Sequence, residues 1–110
     1  MDENEVVFKK IEDVLSYLNK QRELQKLAKE NGLDVKNVAV LTDDTIDNYL
    51  VSVISLLLCK NSNDPRYRTL VQTGTSKRTL KTEIINNYKN QAIQLINQYK
   101  NKNSEDQITL

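Results

Sequence analysis

Histidine and tryptophan are missing from this 110-residue chain, which also holds only two glycines, one proline and one cysteine. Without histidine no side chain has an ordinary pKa near neutrality, so the usual general base, the usual zinc ligand and the hydrolase triads are excluded. Gly32 and Gly74 are too few and too far apart for a glycine-rich phosphate cradle. A single cysteine, Cys59, excludes an internal disulfide and a cysteine-rich zinc site and reads as a small core residue. No apolar run approaches the roughly 18 residues that a bilayer span requires. The longest, Leu50 to Cys59, is broken by Ser52 and Ser55, and no leader of basic then apolar residues opens the chain. The expectation is a cytoplasmic protein that is not an enzyme, binds no cofactor and has no membrane partner.

What is present is ordinary in amount and uneven in placement. With 38% hydrophobic and 28% charged residues, the composition is that of a globular domain. Residues 1–59 carry a balance of −4, residues 60–102 of +7 and the last eight of −2, which gives the net charge of +1. The densest basic stretch holds Lys60, Arg66, Arg68, Lys77, Arg78 and Lys81 against one acid, Asp64. Polarisation of this kind is the footprint of a nucleic-acid face, though a lysine-rich helix surface is also often just solvated. Asp43, Asp44 and Asp47 cluster in "LTDDTIDNYL". Three carboxylates suit a divalent cation, but Thr42 as N-cap with acids in the first turn explains the same pattern through the helix dipole.

Spacing places the helices. Val7, Ile11, Val14, Leu15 and Leu18 share one face, and the phase breaks after Lys20, so a second helix over 21–31 is expected with Leu24, Leu27 and Ala28 inward. Gly32 then stands where a left-handed C-cap is needed. Residues 33–41 read as a short helix or an extended connection. Ile46, Tyr49, Leu50, Val53, Ile54, Leu57 and Leu58 repeat at three and four, which predicts a helix from about Asp43 to Ser55. Two β-capable arms, 57–60 and 67–72, flank the turn-forming run Asn61-Ser62-Asn63-Asp64-Pro65 and predict a hairpin. Thr75 or Ser76 caps a long last helix to about Lys102, and residues 103–110 form a polar tail beyond a single domain over 1–102.

That order resembles a winged helix-turn-helix domain: mainly α, with a small β-hairpin and a long C-terminal helix. "LAKENGL", Leu27 to Leu33, is similar to the second helix and turn of that family. "TIDNYLVSVISLLL" with "NDPRYRTLVQTG", within Thr45 to Gly74, is similar to its recognition helix, wing and post-wing corner. About ten residues separate Gly32 from Asp43, where the family has a tight turn, so either 34–41 or 43–55 takes the part of recognition helix. The resemblance implies double-stranded DNA binding, as a transcription regulator or as an accessory factor at a plasmid or transfer origin, with a possible protein partner in a nucleoprotein complex.

On that reading the arginines at the hairpin, Arg66 and Arg68, with Lys60, Asn61 and Asn63, meet phosphate or a narrow minor groove. Thr75, Ser76, Lys77, Arg78 and Lys81 gather at a helix N-terminus suited to one phosphate. Asn48 is a candidate adenine reader, and Lys36 and Asn37 replace it if the short segment is the recognition helix. The apolar stripe of the last helix, Leu80, Ile84, Tyr88, Leu95 and Tyr99, is expected to form a homodimer. The competing reading is a small helical interaction module, an antitoxin, inhibitor or phage antagonist, whose basic half docks on an acidic partner.

Overall fold

The structure, a computed structural model, describes residues 3–33, 40–73 and 78–108. Four helices follow one another: α1 (Glu3–Glu30), α2 (Asp43–Asn61), α3 (Pro65–Thr73) and α4 (Arg78–Ile108). Principal extents of 47 × 43 × 21 Å make a flat body, its thickness about two helix diameters.

The spine is the antiparallel pair α2–α4. Its direction is read from two links: Lys100 Nζ donates to Asp47 near the start of α2, and Tyr88 Oη donates to Asp64 just beyond its end. Leu50, Ile54 and Leu58 of α2 meet Ala92, Leu95 and Ile96 of α4 because both sets recur at three and four residues. Val7 and Ile11 of α1 complete this cluster. Phe8 rests against the Tyr99 ring, centroids 6.1 Å apart, with Lys102 Nζ 6.0 Å over its face, while Arg22 further along reaches Asp43 at 2.6 Å. Gln25 accepts from the Leu41 N–H. α1 thus bridges the far end of α4 and the start of α2.

The caps expected at the start of α2 and the end of α1 are present. Thr42 and Thr45 form a reciprocal capping box. Gly32 adopts φ 71°, and the Gly32 and Leu33 N–H groups return to Lys29 and Ala28, a Schellman closure that requires a left-handed residue at this point.

Elsewhere the structure corrects the sequence-based expectations. One helix, not two, covers Glu3–Glu30. Nothing near Lys20 breaks a helix, so the inward phase of Val7, Ile11 and Leu18 runs on through polar positions, and Leu24 and Leu27 are left 52% and 55% exposed. α2 runs past Ser55 to Asn61, and both predicted β-arms are helical, 57–60 as its last turn and 67–72 as most of α3. No strand occurs among the described residues. The wing is therefore absent, and the fold is an all-helical array rather than a winged helix-turn-helix. The arms failed as strands because Leu57 and Leu58 continue the α2 phase, which buries Leu58 only if the helix is unbroken. α4 extends to Ile108, beyond the expected end near Lys102.

The exposure of Leu24 and Leu27 yields a direct check. Replacing both with Ala is expected to change unfolding free energy by no more than about 0.5 kcal/mol, as for surface sites. Ile11→Ala, at a fully buried position, costs about 2–5 kcal/mol. Urea unfolding of the three proteins measures both; a loss of several kcal/mol from the leucine pair would mean that the second half of α1 is packed.

Candidate functional site

The run predicted to turn a hairpin instead joins two helices. The Asn63 and Asp64 N–H groups return to the Lys60 and Cys59 carbonyls, and Asn63 takes φ 56°. This is a Schellman closure with asparagine, the usual alternative to glycine, in the left-handed position. The next helix starts at once: Asp64 Oδ1 accepts from the Arg66 N–H at 3.0 Å, an N-cap bond, and Pro65 fills the first helical position, where no N–H is needed.

Asp64 has further partners. Its oxygens accept from Arg66 Nε and from Arg66 Nη2 at 2.6 Å, and from Tyr88 Oη on α4 at 2.9 Å. In the amide orientation that matches donors with acceptors, Asn87 Oδ1 accepts from the same guanidinium. The Arg66 hydrogen bonds hold the Asp64 carboxyl well below its usual range, and the Asp64 hydrogen bond pushes the Arg66 guanidinium up. Tyr88 is raised by its bond to Asp64. One carboxylate therefore caps α3, neutralises Arg66 and ties the corner to α4.

This corner borders a half-open cleft of about 530 Å³, lined by Lys60, Pro65, Tyr67, Arg68 and Val71, with Asn63, Asp64 and Gln72 completing it. Lys60 and Arg68 are exposed, and among the described residues neither is in an ion pair. A second hollow, of about 290 Å³ at the other end of the spine, lies among Arg22, Asp43, Asp47 and Lys100. Its charges cancel, because Arg22 pairs with Asp43 and Lys100 with Asp47. Asp43 and Asp47 thus serve ion pairs, and no group of three candidate metal ligands exists among the described residues. Cys59 is fully buried, and its thiol is pushed up by burial and then by Asp64, which keeps it protonated and unreactive.

The basic residues singled out in the sequence are divided by the fold. Arg66 turns inward to Asp64, whereas Lys60, Asn61, Asn63 and Arg68 stay exposed at the corner. Arg78 and Lys81 are exposed on the first turn of α4, and Asn48 is exposed on α2. Lys36, Asn37, Thr75, Ser76 and Lys77 lie outside the described residues. Of the stripe assigned to a dimer, Ile84 and Leu95 are buried and Leu80, Tyr88 and Tyr99 half-buried within the chain; Leu95, Tyr88 and Tyr99 pack with the core formed by α1 and α2. Tyr67 and Val71, which line the cleft, are not among the candidates the sequence offers, because a strand over 67–72 gives them no common face with Lys60 and Arg68. Helical spacing over 65–72, with Asp-Pro as a start signal, was the available clue.

The Asp64 linkage has a pH signature. A carboxylate with a depressed folded pKa stabilises the fold fully above its unfolded pKa, about 3.9, and that contribution is lost as pH falls toward the folded value. Asp64→Asn keeps an N-capping oxygen and removes the charge. The variant is expected to be less stable than the parent at neutral pH, with the gap narrowing as pH drops below about 4. Equal gaps at both pH values, followed by thermal melting, would contradict the linkage.

Comparison with curated proteins returns no match, and comparison with solved structures returns none. A protein-family model, described as "Bacteriophage PBS1 gene 41 protein", matches residues 11–109. The match begins within α1 and takes in α2, the Asp64 corner, α3 and α4, and on its extent the chain belongs to the bacteriophage PBS1 gene 41 protein family.

Proposed function

We propose that this protein is a helical docking module without catalytic chemistry, which engages an acidic protein partner through the end of α2, α3 and the start of α4. The observation that carries this reading is the internal commitment of Asp64 to Arg66 and Tyr88. It removes the one carboxylate among the described lining residues from the cleft's charge balance and leaves exposed Lys60 and Arg68 beside an apolar wall. Arg78 and Lys81 add positive charge at the start of α4.

Duplex DNA is the competing occupant, favoured by the +7 balance of residues 60–102. Two features favour protein. One of the two arginines expected at a groove, Arg66, is spent on an internal pair, and Val71, 64% exposed on α3, offers nothing to phosphate. Protein interfaces combine apolar anchors with a polar rim, whereas nonspecific DNA affinity rests on cations alone.

Capture from nuclease-treated and untreated bacterial extract on the immobilised protein tests the assignment, with Lys60→Glu/Arg68→Glu as the control. A protein retained in both extracts by the parent and lost on charge reversal is expected. Retention that disappears with nuclease, or that ignores the reversal, would overturn the reading, and nuclease-sensitive retention would return the surface to nucleic acid.

A further inference from the structure

The cleft at the α2–α3 corner is more specific than a basic patch. Its volume, about 530 Å³, lies within the range of about 300–1,000 Å³ typical of binding pockets. Pro65, Tyr67 and Val71 give it an apolar wall, and Lys60 and Arg68 give it charge. Asp64, the only carboxylate among its described lining residues, is neutralised by Arg66 from α3 and bonded by Tyr88 from α4, so a ligand meets a positive rim of Lys60 and Arg68. The corner that frames the cleft is rigidly built: it carries a Schellman closure, an N-cap and a proline within the five residues 61–65. Such pre-organisation lowers the ordering cost of binding.

The charge selects the occupant. A second copy of this chain is less suited, because two of the three carboxylates at the start of α2, Asp43 and Asp47, are already paired with Arg22 and Lys100. A bare phosphate would use the cations and leave the apolar wall in water. A peptide with both an apolar side chain and carboxylates uses all of it. We infer that the cleft binds an acidic peptide segment of the partner, with one large apolar side chain seated against Pro65, Tyr67 and Val71 and carboxylates on either side pairing with Lys60 and Arg68. This rests on the docking reading above and adds the chemistry of the bound segment. Helical or extended, the segment is recognised by an anchor flanked by acids, the arrangement in which a desolvated apolar contact supplies affinity and charge supplies selection.

The test uses short fluorescein-labelled peptides with a central Leu, Phe or Tyr flanked by Glu, with Ser-flanked and Lys-flanked versions as controls, titrated into the full chain at ~0.15 M salt. Glu-flanked peptides are expected to bind, with amide shifts concentrated in residues 60–72. Val71→Asp, at an exposed position that leaves the fold intact, is expected to weaken them by roughly tenfold. Lys60→Glu/Arg68→Glu is expected to abolish their advantage and to favour the Lys-flanked set; circular dichroism confirms that each variant remains helical. The inference is overturned if Glu-flanked peptides bind no better than Ser-flanked ones, if the shifts fall elsewhere, or if Val71→Asp has no effect. Displacement of the peptide from residues 60–72 by duplex DNA of higher affinity would also overturn it. Should the charge-dependent protein capture persist while the peptides fail, the cleft assignment falls and the docking reading stands; failure of both removes both.

Discussion

A single carboxylate, that of Asp64, governs how the second half of the molecule is arranged. It caps α3, accepts two nitrogens of Arg66 and receives the Tyr88 hydroxyl. Each of these bonds constrains a different relation: the direction of α3, the charge at the corner, and the axial position of α4 against α2. A charged acceptor strengthens all three, since hydrogen bonds with one ionised partner are roughly twice as strong as neutral ones. The core supports the same register from the other side, because Leu58 and Ala92 belong to one cluster with Ile54 and Leu95.

The surface follows from that commitment. A corner in which Arg66 pointed outward and Asp64 faced solvent would set a carboxylate among the cations, whereas the observed one presents Lys60 and Arg68 beside apolar side chains. The opposite end of the spine shows the contrast. There, four charged residues surround a hollow and pair with one another, so the molecule has one end that is electrostatically closed and one that is open. α1 contributes stability to the spine through Val7 and Ile11 and takes no part in the open end.

Legibility in the sequence tracked the range of the interaction. Local signals read correctly: the Thr42 cap, the left-handed Gly32, and the three-and-four spacing of α2 and α4 each depend on a few neighbouring residues. Asn61 to Pro65 read wrongly because asparagine, aspartate and proline serve a hairpin turn and a helix-to-helix corner equally well. Deciding between them required knowing that Leu57 and Leu58 pack on α4. Leu24 and Leu27 misled for the opposite reason. They sit at helical spacing, but the inward phase set by Val7 and Ile11 passes them by, and no property of residues 21–31 alone reveals this. For the site, the exposed cations Lys60 and Arg68 were legible as charge, while the withdrawal of Arg66 was not, since the Tyr88 hydroxyl that fixes its partner Asp64 comes from α4, 24 positions away.

The half-buried Arg66, turned to Asp64, and the exposed Arg68 are distinguished by the arginine side-chain ¹Hε–¹⁵Nε spectrum of the labelled protein. The Arg66 signal is expected to persist at neutral to mildly alkaline pH with slow solvent exchange, because its Nε–H is held by Asp64, while Arg68 and Arg78 exchange rapidly. An Arg66 signal that exchanges as fast as those two would contradict this placement of Arg66.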